Sequence, residues 1–290
     1  MSDHPDSSSP TEPTGDHDVP PVVTKVDAAL AVRLAWRGVW SARLARYGLL
    51  CLAIAGFLLA KEPTLPAGMG LLFATAAAWV VLITRTARNQ QDLIRVPAWI
   101  EAGQLDRADG ATMRALGRFS VAGRPRVQSL RFLATSLNAR QRHDDARRVA
   151  TAALGYRQPK PAADTLQLII AESALATGDV VAAHAALSQV VAPLPLRDSL
   201  KLLELQTDYC VRVGAWPHAV HDLPAKVEMS ELLPADASAA VQAMLALAAR
   251  RLGQTNWSDW LVRRATLLTD IPTLVRRRPV LAELFGDASA

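Results

Sequence analysis

Residues able to do chemistry are thinly spread along this chain of 290 residues. His218 and His221 stand three residues apart with Asp222 adjacent, a spacing that could put two imidazole ligands on one helix face. No third imidazole or cysteine recurs at a supporting spacing, so a solvated or hydrogen-bonded histidine pair is the expectation. His143-Asp144-Asp145 falls at a turn, where acids ordinarily cap a helix. Cys51 and Cys210 are far apart and lack metal or redox spacing, which reads as two packed thiols in a reducing compartment. Phosphate-loop (G-x-x-x-x-G-K-S/T), nucleophile-elbow (G-x-S-x-G) and zinc-protease (H-E-x-x-H) motifs are all missing. The sequence therefore predicts no enzyme, no cofactor and no metal site.

The basic stretch from Arg140 to Arg148 could attract nucleic acid, but Asp144 and Asp145 interrupt it. Aromatic residues make up only 5% of the chain, so stacking platforms are scarce. A solvated basic face near a membrane fits better than a nucleic-acid surface.

The elements that would position such residues begin after a tail. Residues 1–25 are rich in Pro, Ser, Thr and Asp, have almost nothing to bury, and should be disordered. The first twenty residues hold five acids and no Lys or Arg, leaving ten excess positive charges on the remainder. A basic segment leading directly into an apolar one is lacking there, so the tail does not read as an export signal.

Half of the residues are hydrophobic and the mean hydropathy is slightly positive, which directs the search to membrane segments. Residues 26–86 read as an amphipathic helix followed by two transmembrane helices, at about 47–60 and 66–84. Trp36 and Trp40 share one face of the first part, while Arg33 and Arg37 repeat the same spacing on another. The first span is short, about 21 Å of helix, and Arg43, Arg46 and Lys61 could snorkel to extend it. Arg33, Arg37, Arg43 and Arg46 precede the spans and Arg85, Arg88 and Arg95 follow them, with Lys61 alone between. That asymmetry predicts two cytoplasmic termini and an outer loop. Neither span carries an ionisable group in its interior apart from Cys51, which argues for an anchor and against a transport path.

From about residue 87 onward the pattern is helical, with no two-residue alternation, so the chain should be all-α. A period emerges at the turns. Gly103, Gln141, Gly178, Gly214 and Gly253 are each followed five residues later by a small residue: Ala108, Ala146, Ala183, Ala219 and Ser258. Successive turns lie 38, 37, 36 and 39 residues apart, the signature of repeated helical hairpins. Gly178 can end one helix in the left-handed conformation, Asp179 can cap the next, and Ala183 lets the two approach closely.

With Ala146, Ala150, Ala153 and Pro159 in one unit and Gly178, Ala183, Leu187 and Pro193 in the next, the pattern resembles the tetratricopeptide repeat (TPR) family. The units are longer than 34 residues, and the aromatic positions are mostly aliphatic. The resemblance covers about residues 87–270 and implies an α-solenoid of about five helix pairs. Two spans followed by such repeats also resemble the layout of bacterial HemY-type membrane proteins. The family's concave face, carried onto this sequence, implies a partner groove at Arg131, Thr135, Asn138, Glu172, Glu204, Asp208 and Arg250. These charges are mixed and do not reproduce the Lys/Asn clamp some members use for peptide C-termini. The resemblance thus implies a non-catalytic scaffold at the cytoplasmic face of a bacterial inner membrane, binding a protein or peptide. The alternative is an auxiliary subunit of a membrane enzyme or of a secretion or transport complex.

Overall fold

The computed structural model describes residues 26–60, 65–120, 123–191 and 193–285. The acidic tail at 1–25 and most of the loop between the two apolar segments lie outside the described residues. Every element among the described residues is helical, and no strand occurs there.

Helix α1 (Ala28–Leu59) starts where the Asp27 carboxylate accepts the Ala29 N–H at 2.8 Å. The amphipathic stretch and the first span at about 47–60, which follows it directly in the sequence, form one continuous helix of 32 residues, about 48 Å long. The reason is local. Between Arg46 and Leu49 only Gly48 weakens the helix, by about 1 kcal/mol, with no proline or capping residue to stop it. Helix α2 (Leu65–Ile94) likewise runs ten residues beyond the predicted end of its span.

Both helices are long and apolar enough to cross a membrane. The most apolar stretches of α1 and α2 are only 11% and 6% buried, unlike the core helix of a soluble domain. Leu50, Ile54 and Phe57 on α1 and Phe73, Val80 and Ile83 on α2 stand uncovered. Where the two helices cross they approach closely: a Cβ on Gly68 would lie 2.5 Å from the Ala60 nitrogen. The other end of α1 packs differently. Ala28, Ala31 and Ala35, at helical spacing, are buried against the Leu130, Leu133 and Leu137 side chains.

Beyond α2 come α3 (Val96–Glu101), α4 (Leu105–Gly117), α5 (Arg124–Ala139), α6 (His143–Leu154), α7 (Lys160–Ala176) and α8 (Val180–Leu187). They are followed by α9 (Leu196–Arg212), α10 (Trp216–Val220), α11 (Leu223–Ser230), α12 (Ala235–Arg251) and α13 (Thr255–Leu268). The five periodic turns join α3 to α4, α5 to α6, α7 to α8, α9 to α10 and α12 to α13. All five turn residues are left-handed, with φ of 71° at Gly103, 60° at Gln141, 78° at Gly178, 71° at Gly214 and 74° at Gly253. Each turn closes with the same Schellman pattern. In the third, Asp179 N donates to the Ala174 carbonyl at 2.8 Å and Gly178 N to that of Leu175 at 3.1 Å. Ala108, Ala146, Ala183, Ala219 and Ser258 are all buried.

Apolar side chains form four clusters, and neighbouring clusters are joined by shared helices. Helix α5 gives Phe132 to the first and Leu130 to the second; α7 gives Leu166 to the second and Leu168 to the third. Helix α9 supplies Leu205 to the third and Leu203 to the fourth. Each pair is therefore stabilised by the next, as in repeat proteins. Helix α12 is buried from Ser238 to Ala249, apolar apart from Ser238 and Gln242, whose amide nitrogen donates to the Ser230 and Ser238 hydroxyls at 3.2 Å.

Two features depart from the expected series of equal pairs. The fourth pair is broken, because α10 has only five residues and ends where Asp222 turns left-handed at φ 56°, so α11 is an added element. After α13, the chain also does not end the series. Helix α14 (Ile271–Arg277), a 3-10 turn (Pro279–Leu281) and α15 (Ala282–Phe285) fold back against α12, burying Leu274, Leu281, Leu284 and Phe285 in the fourth cluster.

Candidate binding groove

Helix α9 carries Lys201, Glu204, Asp208 and Arg212, spaced by three, four and four residues and so aligned along one face. On the neighbouring α7, Glu172 accepts from Lys201 Nζ at 2.5 Å, and Glu204 accepts from the same ammonium at 3.1 Å. Burial opposes the charged form of Lys201. The two carboxylates outweigh it and hold the ammonium above the usual lysine range. Asp208 is held by Arg212, with Nε 2.8 Å from Oδ1.

A third cation comes from far along the chain. Arg278, between α14 and the 3-10 turn, has a non-helical backbone (φ −139°, ψ 83°) that breaks the helix there. Its Nη2 lies 2.8 Å from Glu204 Oε1 and its Nη1 lies 2.6 Å from Asp208 Oδ2. The same Nη1 stands 3.8 Å from Met244 Sδ on α12. The side chains of Arg278, Glu204 and Asp208 retain only 16%, 15% and 7% of their exposure, so this is a desolvated three-way contact.

Glu172, Glu204, Asp208, Arg212 and Arg278 line a cavity of about 350 Å³, backed by the buried apolar side chains of Leu175, Leu205, Ala240 and Leu274. His143, Asp236 and Arg277 also line it, and Arg277 Nη1 meets Asp236 Oδ2 at 3.1 Å. Glu172, Glu204 and Asp208 of the predicted groove converge here; the other four residues do not line the cavity. Arg131 is half-buried with its guanidinium 5.1 Å from the Phe132 ring, and burial lowers its pKa, with Asp198 opposing. The Thr135 hydroxyl donates back to the Arg131 carbonyl at 3.0 Å. Asn138 is buried between helices: its Oδ1 accepts the Ser173 hydroxyl at 3.3 Å and lies 2.5 Å from His143 Nδ1. Arg250 is exposed in the last turn of α12.

Lys201 and Arg212 were legible in principle from their spacing to Glu204 and Asp208. Arg278 carried no such signal, because it lies 74 residues from Glu204.

The other candidate chemistry resolves into structure. His218 lies in α10, whereas His221 is its C-cap with a non-helical backbone (φ −57°, ψ 127°), so the two do not share a helix face. Lys226 Nζ donates to the His218 carbonyl at 2.7 Å and that of Ala219 at 2.8 Å. Among the described residues no cluster of three His, Cys, Asp or Glu could hold a metal ion. Cys210 is half-buried, and burial pushes its thiol pKa up while Lys226 pulls it down. Cys51, expected to be packed, instead stands exposed on the uncovered stretch of α1.

The basic stretch is largely neutralised. Arg140 binds Asp106 at 2.5 Å and Asp109 at 3.3 Å, while Arg147 reaches Asp179 of the next turn at 2.7 Å. Asp144 and Asp145 pair with Arg147 and Arg142 instead of capping α6, whose N-cap is Arg142.

No family model, curated protein or solved structure matches the chain.

Proposed function

We propose that this chain is a membrane-anchored, non-catalytic scaffold that holds a segment of a protein partner in the groove formed by α7, α9 and α12. The convergence of Glu172, Glu204 and Asp208 on one cavity supports this reading most directly, since residues from successive helix pairs meet there, backed by buried apolar side chains. In this reading the helix pairs form a TPR-like solenoid, and α1 and α2 span a bacterial inner membrane, in a HemY-like layout. The arginines flanking the spans support a cytoplasmic position for both termini. The anchor raises the local concentration of the groove at the membrane surface.

A photo-crosslinking residue at Asp236 or Ala176, on the cavity lining, tests the scaffold in membranes. A discrete protein adduct at these positions, missing from control positions on α13, is expected. Failure of every groove position to capture a protein overturns the scaffold reading.

A second reading, an auxiliary subunit whose helices make the specific contacts, draws on the stripe of Trp36, Trp40, Leu44 and Tyr47. These side chains are exposed on α1 beside or ahead of its uncharged segment. Adducts confined to that stripe favour the subunit over the scaffold.

A further inference from the structure

The groove is not vacant within the chain, because adjacent arginines of the C-terminal fold-back sit on its acidic groups. Arg278 bridges Glu204 and Asp208 in the interior, and Arg277 meets Asp236 at the rim. We propose that Arg277 and Arg278 are resident occupants, and that the partner segment accepted by the groove is a basic one whose arginine or lysine side chains displace them. This inference rests on the reading of the cavity as a partner groove.

Three observations carry it. The first is charge. Glu172, Glu204, Asp208 and Asp236 are offset by Lys201, Arg212, Arg277 and Arg278. Once the last two swing out, four carboxylates face two cations, and the groove selects for positive charge.

The second is that attachment and occupancy belong to different residues. Leu281, Leu284 and Phe285 are buried against the α12 cluster and hold the segment in place. Arg277 is 64% exposed at its side chain, and Arg278 sits where the helix has already broken. The arginine turn can leave while the apolar anchor stays.

The third is room. A cavity of about 350 Å³ remains beside the seated Arg278, with Pro234, Ala237 and Thr269 in its lining and the buried side chains of Leu175 and Leu205 behind them.

Replacing one guanidinium by another changes the ion pairing little, so the contest is decided elsewhere. The resident pair has the advantage of its tether, which acts as an effective concentration of roughly millimolar. An incoming segment must add contacts elsewhere on the cavity lining, such as Pro234, Ala237 and Thr269, to overcome it. Occupancy by the chain itself lowers the apparent affinity for any partner by the fraction of time the groove is open. The segment is thus an autoinhibitory strap.

The test uses the full chain in detergent micelles and a fluorescent peptide of sequence IPTLVRRRPV, copied from residues 271–280 and lacking Leu281, Leu284 and Phe285. The R277A/R278A protein is expected to bind this peptide about tenfold or more tightly than the unsubstituted chain. Adding E204Q and D208N to that protein should abolish the gain, and a peptide with both of the corresponding arginines replaced by alanine should bind at least about tenfold worse. Equal affinity of the unsubstituted and R277A/R278A proteins, or equal binding of the neutral peptide, overturns the proposal.

The single variant R277A leaves the desolvated contact seated and protects the test against a folding defect. It should gain about threefold by freeing Asp236 alone, and no gain overturns the proposal. Groove crosslinks to a partner that form equally with and without R277A/R278A overturn the strap but leave the scaffold standing. A lack of any groove crosslink overturns the scaffold itself.

Discussion

The guanidinium of Arg126 lies against the bare Cα of Gly38: a Cβ there would stand 2.6 Å from Arg126 Nε and 3.0 Å from Cζ. This contact fastens the N-terminal half of α1 to the start of α5. Arg126 is only 3% exposed, donates from Nη2 to the Ser120 carbonyl, and has no carboxylate partner among the described residues. Burial lowers its pKa, while Tyr156 acts to raise it and Arg46 to lower it.

Opposing effects therefore meet at residue 38. Gly38→Ala gains about 1 kcal/mol of helix propensity but displaces the guanidinium from Ser120, costing about the same. Near-neutrality is expected. Gly38→Leu should destabilise by about 1–3 kcal/mol, because no shift of one side chain accommodates it. Arg126→Met should be neutral or stabilising, since a buried cation without a carboxylate is replaced by apolar packing. On that background Gly38→Ala should become stabilising. Thermal melts of the four proteins in detergent form a cycle that reads this coupling directly.

The repeated turns yield a second ranking. Gly178 sits at φ 78° with open space where a Cβ would go, so Gly178→Val is penalised by backbone strain alone, by about 1–3 kcal/mol. Gln141 bears the same strain at φ 60°, and Gln141→Gly should therefore stabilise by up to about 1 kcal/mol. Ala183 is fully buried, and Ala183→Leu should destabilise by about 1–3 kcal/mol. Chemical denaturation in micelles orders the three. A damaging Gln141→Gly beside a neutral Gly178→Val would contradict the turn geometry.

Between the spans, Gly68 and Gly70 provide a matched comparison. A Cβ on Gly68 would meet the Ala60 nitrogen at 2.5 Å, the Ala60 Cα at 2.8 Å and the Gly56 carbonyl oxygen at 2.9 Å, all backbone atoms. One on Gly70 would meet nothing within 4 Å. Gly68→Leu must separate α1 from α2, whereas Gly70→Leu leaves the crossing alone. Cysteine pairs placed across the crossing should lose oxidative crosslinking in the first variant and keep it in the second.

Lys201 sets a pH dependence. Its pKa is raised in the fold because Glu172 and Glu204 outweigh the burial that opposes its charge. A cation with a raised folded pKa contributes stability that is full below the ordinary lysine value and is lost as pH rises through the folded one. The melting advantage of the unsubstituted chain over Lys201→Met should be constant from neutral pH to about 10 and shrink above it. A difference that is flat through pH 12, or that shrinks on acidification to pH 6, would exclude this role.

Much of this protein was determined locally and could be read from the sequence. A left-handed turn, a small residue one helical turn on and an uncharged run each depend on neighbours within a few residues. The five turns from Gly103 to Gly253 therefore stand where their spacing put them. Helix caps are equally local: Asp179 accepts the Ala182 N–H at 3.0 Å, as its place after Gly178 suggested. The alignment of Glu204 and Asp208 along α9 belongs to the same class. Tertiary structure decided the rest. Gly38 faces Arg126 only because α1 lies across the start of α5, and Arg278 reaches Glu204 only because the chain after α13 turns back onto α12. Helical periodicity encodes which residues share a face of one helix. The path that brings two such faces together depends on the packing of every helix between them, so residues 74 apart carry no mark of their meeting.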